Sequence, residues 1–272
     1  MLKILLERAK QRHRTVAYPA IEPTLPRHFR GAPELDPARC EAGCSDCERA
    51  CPTGAIALED GRVRLDTGRC LFCVECTAAC PKGAIELGSD YRLAARRRED
   101  LIVEGAFEQK RVELDGRLRK LFGRSLKLRQ VSAGGCNGCE LDLNVLGTIV
   151  FDLGRFGIQV VASPRHADGL LITGPVTRNM ELALKKTYDA TPDPRIVIAV
   201  GACAISGGIY ASHPETRGGA SSVVPVDLFI PGCPPHPYTI LDGLLGMLGR
   251  LEGREPKTRA SAAQGAPAAT GH

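Results

Sequence analysis

The chain has 272 residues, 43% of them hydrophobic and 25% charged, with a formal net charge of +5. That length suits one large domain or two ordinary ones, and the composition is that of a globular protein. Aromatics are only 4%, Trp is absent and the positive charge is spread along the chain, so no nucleic-acid partner is expected.

Residues 1–14 predict a short basic amphipathic helix. Leu2, Leu5, Leu6 and Ala9 share one face, and Lys3, Arg8, Lys10 and Arg12 are among its polar positions. Such a helix suits either an anionic lipid surface or a partner subunit. Its apolar core is too short for a secretory signal and is interrupted by Glu7. No apolar run in the chain reaches bilayer length. Residues 15–39 carry Pro19, Pro23, Pro26, Pro33 and Pro37 and predict an extended connector.

Residues 40–90 contain an internal repeat. Its first half reads Cys40-x3-Cys44-x2-Cys47-x3-Cys51-Pro52 and its second Cys70-x2-Cys73-x2-Cys76-x3-Cys80-Pro81. CPTGAIAL follows the first group and CPKGAIEL the second. Each half predicts a cysteine loop, a short helix and a short strand. A cubane [4Fe-4S] cluster takes four thiolates, and in runs of this kind the fourth cysteine serves the other cluster. One cluster is therefore expected on Cys40, Cys44, Cys47 and Cys80, the other on Cys70, Cys73, Cys76 and Cys51. The first group has one extra residue between Cys40 and Cys44, which puts the ligation by Cys40 in question. Gly43 can absorb the insertion because glycine tolerates unusual backbone angles. Two zinc sites are the competing reading. Zinc sites rarely repeat x2, x2, x3 and proline twice over.

Residues 91–125 are highly charged, with Arg96, Arg97, Arg98, Glu99 and Asp100 in one run. They predict a charged linker, helical or loosely ordered. From 126 to 252 apolar strand-like runs alternate with helical patterns. The strands are expected at 126–131, 158–163, 169–174, 195–200 and 223–230, and the helices near 140–155, 178–189 and 236–251. That alternation predicts a parallel α/β sheet. Residues 253–272 lack apolar periodicity and predict a disordered tail.

The remaining four cysteines are dispersed. Cys136 and Cys139 lie in GGCNGCE, Cys203 in GACAISGG and Cys233 in PGCPP. All four fall just past the C-terminal ends of predicted strands, the edge where open parallel sheets bind ligands. Gly134, Gly135, Gly138, Gly201 and Gly232 let the backbone approach a cluster and offer it amide donors. Twelve cysteines thus divide into three sets of four with none left over, which predicts three [4Fe-4S] clusters in a reducing compartment. Buried thiols at Cys203 and Cys233, or a redox CxxC at 136–139, are the competing readings of this last set. Glu140 is expected to cap the first turn of its helix rather than to carry protons. His213, His236 and Tyr210 lie near the cysteine loops, and no catalytic role is assigned to any residue.

With GGCNGCE, SPRHADGLLITGPVT, PDPRIVIAVGACAISGGIY and VPVDLFIPGCPP in view, residues 117–252 closely resemble the small subunit of group 4 membrane-associated [NiFe] hydrogenases, the formate hydrogenlyase type. That subunit is homologous to the 20 kDa, or B-type, component of respiratory complex I. Residues 1–108 resemble the two-cluster ferredoxin subunit of the same complexes, including the lead-in from Phe29 to Pro37. The chain resembles a fusion of two neighbouring subunits. The resemblance implies an N-terminal α+β bacterial-ferredoxin-like domain followed by a flavodoxin-like parallel-sheet α/β domain. It implies an oxidoreductase subunit that transfers electrons, with the 136/139/203/233 cluster nearest to the active site of a separate [NiFe] large subunit. The implied neighbours are membrane subunits of a complex I-like assembly and a formate dehydrogenase or other electron donor, at the cytoplasmic face of the cell membrane. The complex I 20 kDa components have adjacent cysteines where this chain has Cys136-x2-Cys139, so the spacing favours the hydrogenase branch. The competing readings are a complex I-like quinone oxidoreductase, a related complex lacking nickel, and a non-redox zinc scaffold.

Overall fold

The computed structural model describes residues 2–251 except 12, 42, 60, 61 and 111. The predicted disordered tail lies outside the described residues. The chain begins with α1 (Leu2–Gln11), whose Leu2, Ile4, Leu5 and Leu6 are all exposed. Among the described residues no helix is long and apolar enough to cross a membrane.

The ferredoxin-like half contains β1 (Pro33–Leu35), α2 (Asp46–Ala50), β2 (Ile56–Glu59), β3 (Arg62–Asp66), α3 (Glu75–Ala79), β4 (Ile85–Leu87) and β5 (Ile102–Val103). β1 pairs antiparallel with β4, and β2, β3 and β5 form a second antiparallel sheet. Ile56, Leu65, Ile85 and Val103 come together in its core with Cys47, Cys70 and Cys76. The segment expected as a charged linker contributes to this half through β5. Before β5, residues 91–95 are buried throughout. The later part of that segment holds α4 (Gly116–Phe122), capped by the Asp115 carboxylate, which accepts from the amides of Arg117 and Leu118.

The C-terminal half follows as β6 (Leu126–Ser132), α5 (Gly138–Val145), β7 (Ile158–Val160), β8 (Gly169–Thr173), α6 (Arg178–Ala190), β9 (Ile196–Val200), α7 (Ala202–Ser206), β10 (Leu228–Ile230) and α8 (Pro237–Met247). All five strands are parallel, in the order β10-β9-β8-β6-β7. Numbered within the sheet, that is 2-1-3-4-5 read from β7, the flavodoxin-like order. β8 and β9 are buried at every position, which is why their sequences run apolar without alternation. The last strand is shorter than the run 223–230 suggested. Pro225 cannot donate to a ladder, and Val223 and Val224 turn back to bond the carbonyl of Ala220.

The two halves are joined by backbone and by buried polar contacts. Ala95 forms an antiparallel bridge with Phe229, exchanging bonds of 3.0 and 2.8 Å, and so lies alongside the edge strand β10. The proline-rich connector folds back on the C-terminal half: Val16 donates to the Val150 carbonyl at 2.8 Å, and Arg155 donates to the carbonyls of Val16 and Tyr18. The Tyr18 hydroxyl donates to Asp242 Oδ1 on α8 at 2.5 Å, with both residues buried. Burial and the adjacent carboxylate push the Tyr18 phenol far above its ordinary range, so it stays a donor. The rings of Tyr91, Phe151 and Tyr238 pack around this pair.

Removing that hydroxyl withdraws a donor from a buried carboxylate, a loss of about 1–3 kcal/mol. Tyr18→Phe is therefore expected to lower the urea midpoint of the anaerobically purified protein with no change in slope. An unchanged midpoint would show that this bond does not help to anchor the connector.

Candidate functional site

The first two cysteine sets each line one cavity. Cys40, Cys44, Cys47 and Cys80 line one pocket. Cys51, Cys70, Cys73 and Cys76 line another. The fourth cysteine of each sequence group thus crosses to the other cavity. It can do so because α2 and α3 pack against each other, so the residue ending each helix reaches its neighbour's loop. Gly43, at φ 80, has open space around it and takes up the extra residue of the first loop. Phe72, just before Cys73 in the equivalent position, also has a positive φ, of 55.

The repeat extends to individual bonds. Ala55 donates its amide to Cys51 Sγ at 3.1 Å, and Ala84 donates to Cys80 Sγ at 3.2 Å. Both alanines close a Cys-Pro-x-Gly-Ala segment. Phe72 donates to Cys70 Sγ at 3.3 Å. Amide donors to sulfur stabilise negative charge there, the means by which proteins adjust cluster potentials.

The dispersed set comes from the C-terminal edge of the parallel sheet. Cys136 and Cys139 follow β6 at the point where strand order reverses, Cys203 follows β9 and Cys233 follows β10. A methyl added at Gly201 (φ 91) would stand 2.4 Å from Cys139 Sγ. One at Gly138 would stand 3.6 Å from Cys136 Sγ and beside Pro234. Gly135 instead gives way to Gly174, and Gly232 (φ 145) to Pro235. Sequence reasoning missed Gly208, where a Cβ would lie 2.9 Å from Cys203 Sγ. Its only signal was the GG pair after Cys203.

Electrostatics tie each set together. Burial first, then neighbouring thiols, pushes Cys70 up to about 12, with Cys76, Cys51 and Cys73 contributing. Cys47 rises to about 11, chiefly by burial, with Cys40 and Cys80 adding to it. Cys203 rises to about 11 by burial and then through Cys233 and Cys136. Cys139 is pushed higher still by burial, Glu140 and the other three thiols. Cys233, which still reaches the surface, is raised by the partial burial of its thiol and by both Cys136 and Cys73, so the second and third sets lie close to each other.

Glu140 does not serve as a helix cap. It is buried, and its Oε1 accepts from Ser132 Oγ at 2.6 Å and Thr173 Oγ1 at 2.7 Å. Those two strand hydroxyls draw the carboxylate under the cysteine loop instead of toward the helix amides. His236 packs its ring against Phe29 and Tyr238, while His213 and Tyr210 shape the loop beyond Cys203.

The donor chemistry suits iron–sulfur clusters. Buried thiols that repel one another need a strongly positive partner to ionise together, and iron supplies it. A single zinc would draw its sulfurs to about 2.3 Å from one point. Four thiolates around a cubane stand farther apart, and glycines that leave room beside the sulfurs fit that bulk.

Comparison with known proteins agrees with both halves. Residues 39–84 match the 4Fe-4S dicluster domain, and residues 136–247 match the family described as NADH ubiquinone oxidoreductase, 20 Kd subunit. The chain is 45% identical over 145 residues to the probable membrane-bound hydrogenase subunit mbhJ of Pyrococcus furiosus, covering 53% of this chain and 87% of that one. It is 48% identical over 135 residues to formate hydrogenlyase subunit 7 of Escherichia coli, covering 50% of this chain and 53% of that one. It is 43% identical over 125 residues to a component of the NADH-quinone oxidoreductase of Desulfovibrio desulfuricans, covering 46% of this chain and 67% of that one. A flavodoxin-like sheet with cysteines at its switch point, set behind a dicluster domain, belongs to the family of the NADH ubiquinone oxidoreductase 20 Kd subunit, and the chain is an iron–sulfur electron-transfer component of an oxidoreductase.

Proposed function

We propose that this chain is the electron-relay subunit of a membrane-bound hydrogenase complex, holding three [4Fe-4S] clusters between an electron donor and a [NiFe] centre in a separate large subunit. The observation that carries the reading is the division of twelve cysteines into three sets of four, the first two in one small half and the third close to the second at Cys233 and Cys73. Each cluster, when bound, supplies a one-electron carrier. The protein's part is to hold the thiolates, direct amides at their sulfurs and limit the access of water. Cys40, Cys44, Cys47 and Cys80 would hold the first cluster, Cys51, Cys70, Cys73 and Cys76 the second, and Cys136, Cys139, Cys203 and Cys233 the third.

The third set supports a hand-off to another chain. Cys136 and Cys233 are exposed, unlike the buried Cys47, Cys70 and Cys76. Leu141 is exposed two residues after Cys139, and Ile209 and Tyr210 are exposed on the loop after Cys203. Exposed apolar side chains grouped around a redox site suit a protein partner. The hydrogenase branch is favoured by the Cys136-x2-Cys139 spacing and by the two hydrogenase-complex relatives. Attachment would be peripheral, at the cytoplasmic face of the membrane, with the exposed leucines of α1 available to lipid or to a membrane subunit.

Anaerobic purification with the associated large subunit tests the whole reading. Roughly twelve irons and twelve sulfides per copy of this chain are expected, four of each per cubane, with nickel in the large subunit. Zinc in place of iron would overturn the cluster assignment, and a large subunit without nickel would overturn the hydrogenase assignment. Cys203→Ala should remove the third cluster's paramagnetic signal and hydrogen turnover while leaving the two N-terminal signals. Hydrogen turnover at the normal rate in that variant would be incompatible with the relay.

Gly201→Ala offers a test without touching a ligand. The added methyl would collide with Cys139 Sγ at 2.4 Å and carry an unfavourable φ of 91. About one third of the iron should be lost, since one cluster of three depends on Cys139. Full iron content in that variant would count against a cluster at this position.

A further inference from the structure

A cleft of about 330 Å³ is lined by Arg30, by Phe72 from the loop of the second cysteine set, and by Cys233 of the third set and His236, both in the C-terminal half. Arg30 belongs to neither set. Its guanidinium donates to the Phe72 carbonyl at 3.0 Å. Phe72 lies between Cys70 and Cys73, and its own amide bonds Cys70 Sγ. The peptide that Arg30 grips is therefore the one joining Phe72 to Cys73. Phe72 sits at φ 55, a region few non-glycine residues occupy, so that loop depends on its surroundings to keep its shape.

The backbone around Arg30 is tied to both halves of the molecule. On one side the Phe29 ring meets the His236 ring edge-on at 5.3 Å, three residues from Cys233. On the other, the Gly31 amide donates to the Gly88 carbonyl at 2.7 Å, and a Cβ at Gly31 would collide with the backbone of Asp90. Arg30 is thereby fixed at the junction while its side chain reaches one cysteine loop. The cleft also holds Asp142, His28 and His236. Burial pushes Asp142 up and His236 down, toward their neutral forms, which leaves Arg30 as the charge in this cleft that does not depend on titration.

We propose that Arg30 is the positioning residue for electron passage between the Cys51/Cys70/Cys73/Cys76 site and the Cys136/Cys139/Cys203/Cys233 site. It holds the Phe72–Cys73 peptide in register with the Cys233 loop, and its fixed positive charge favours the more electron-rich form of the sulfur set it faces. The proposal rests on the relay reading above. A guanidinium suits the role because one N–H can bond the carbonyl while the planar group stays charged and weakly hydrated. Added negative charge at a site is stabilised by a nearby cation.

The test uses the full chain, purified anaerobically, with Arg30→Gln and Arg30→Lys alongside the unaltered protein. Iron and sulfide are measured first, then the paramagnetic signals are followed through a potentiometric titration. R30Q is expected to keep its iron and to show a roughly three- to tenfold lower ratio of reduced to oxidised second cluster at a fixed potential, a tenfold change in that ratio being about 59 mV for one electron. R30K, which keeps the charge, should stay within about twofold of the unaltered protein, as the retained charge predicts. The proposal fails if R30Q titrates like the unaltered protein, or if R30K shifts as far as R30Q. It also fails if R30Q loses its iron while R30K keeps it and titrates normally, because Arg30 would then be a folding residue. Absence of iron from the unaltered protein would instead overturn the relay reading.

Discussion

Four thiols brought together resist becoming four thiolates. Burial disfavours each charge and the neighbours repel it, and the raised thiols of Cys47, Cys70, Cys139 and Cys203 record that opposition. Bound iron reverses it, but the polypeptide must hold the sulfurs in place by other means. The N-terminal half does so by duplication. Two helices of five residues each, α2 and α3, pack together and exchange their last cysteines. The C-terminal half does so with a parallel sheet, whose strand ends bring loops up to 97 residues apart to one edge, from Cys136 to Cys233.

The proposed relay between the halves would add a second requirement, that the two scaffolds keep a fixed distance. A flexible linker would let that distance vary. Here the linking segments are part of the packing. Ala95 extends the sheet beside β10, Leu114 donates to the Met247 carbonyl at 3.0 Å, and Tyr18 bonds Asp242 on a helix buried along nearly its whole length. These ties all fall on β10 and α8, which flank the Cys233 loop. The cysteine of the C-terminal half that lies nearest the ferredoxin-like half is thus on the segment most firmly anchored to it.

The cysteine sets and the strands at 126–132, 169–173 and 196–200 were legible in the sequence because their signals are local: spacing, and unbroken apolar runs. The crossover of Cys51 and Cys80 was expected from the spacing of the second run, in which the fourth cysteine serves the other cluster, and Cys51 and Cys80 line the pockets that expectation assigns them. What was not legible depends on contacts distant along the chain. Residues 15–39 read as a proline-rich extended connector, and nothing local says that Val16 and Tyr18 will meet Val150 and Asp242. The burial of residues 91–95 is hidden beside the charged run that follows. Pro225 marked a break in the last strand that the apolar residues around it obscured. The part played by Glu140 needed Thr173, from a different strand, to draw the side chain away from its helix.

Glu140 also distinguishes the third site from the first two. In the N-terminal half, sulfurs receive amide donors from Ala55, Phe72 and Ala84, and a guanidinium lies beside the second set. Next to Cys139 the fold places a carboxylate, held by two hydroxyls, and its charge adds to that of the thiols. Donors and cations favour the electron-rich form of a cluster, while a neighbouring carboxylate disfavours it. On the proposed relay, these protein groups taken alone would make the third site the poorer resting place for an electron and the second the better one. The third site is also the one that opens to the surface, at Cys136 and Cys233. A partner covering that face would exclude water and bring its own charges, so the balance between the second and third sites would be set by the assembled complex.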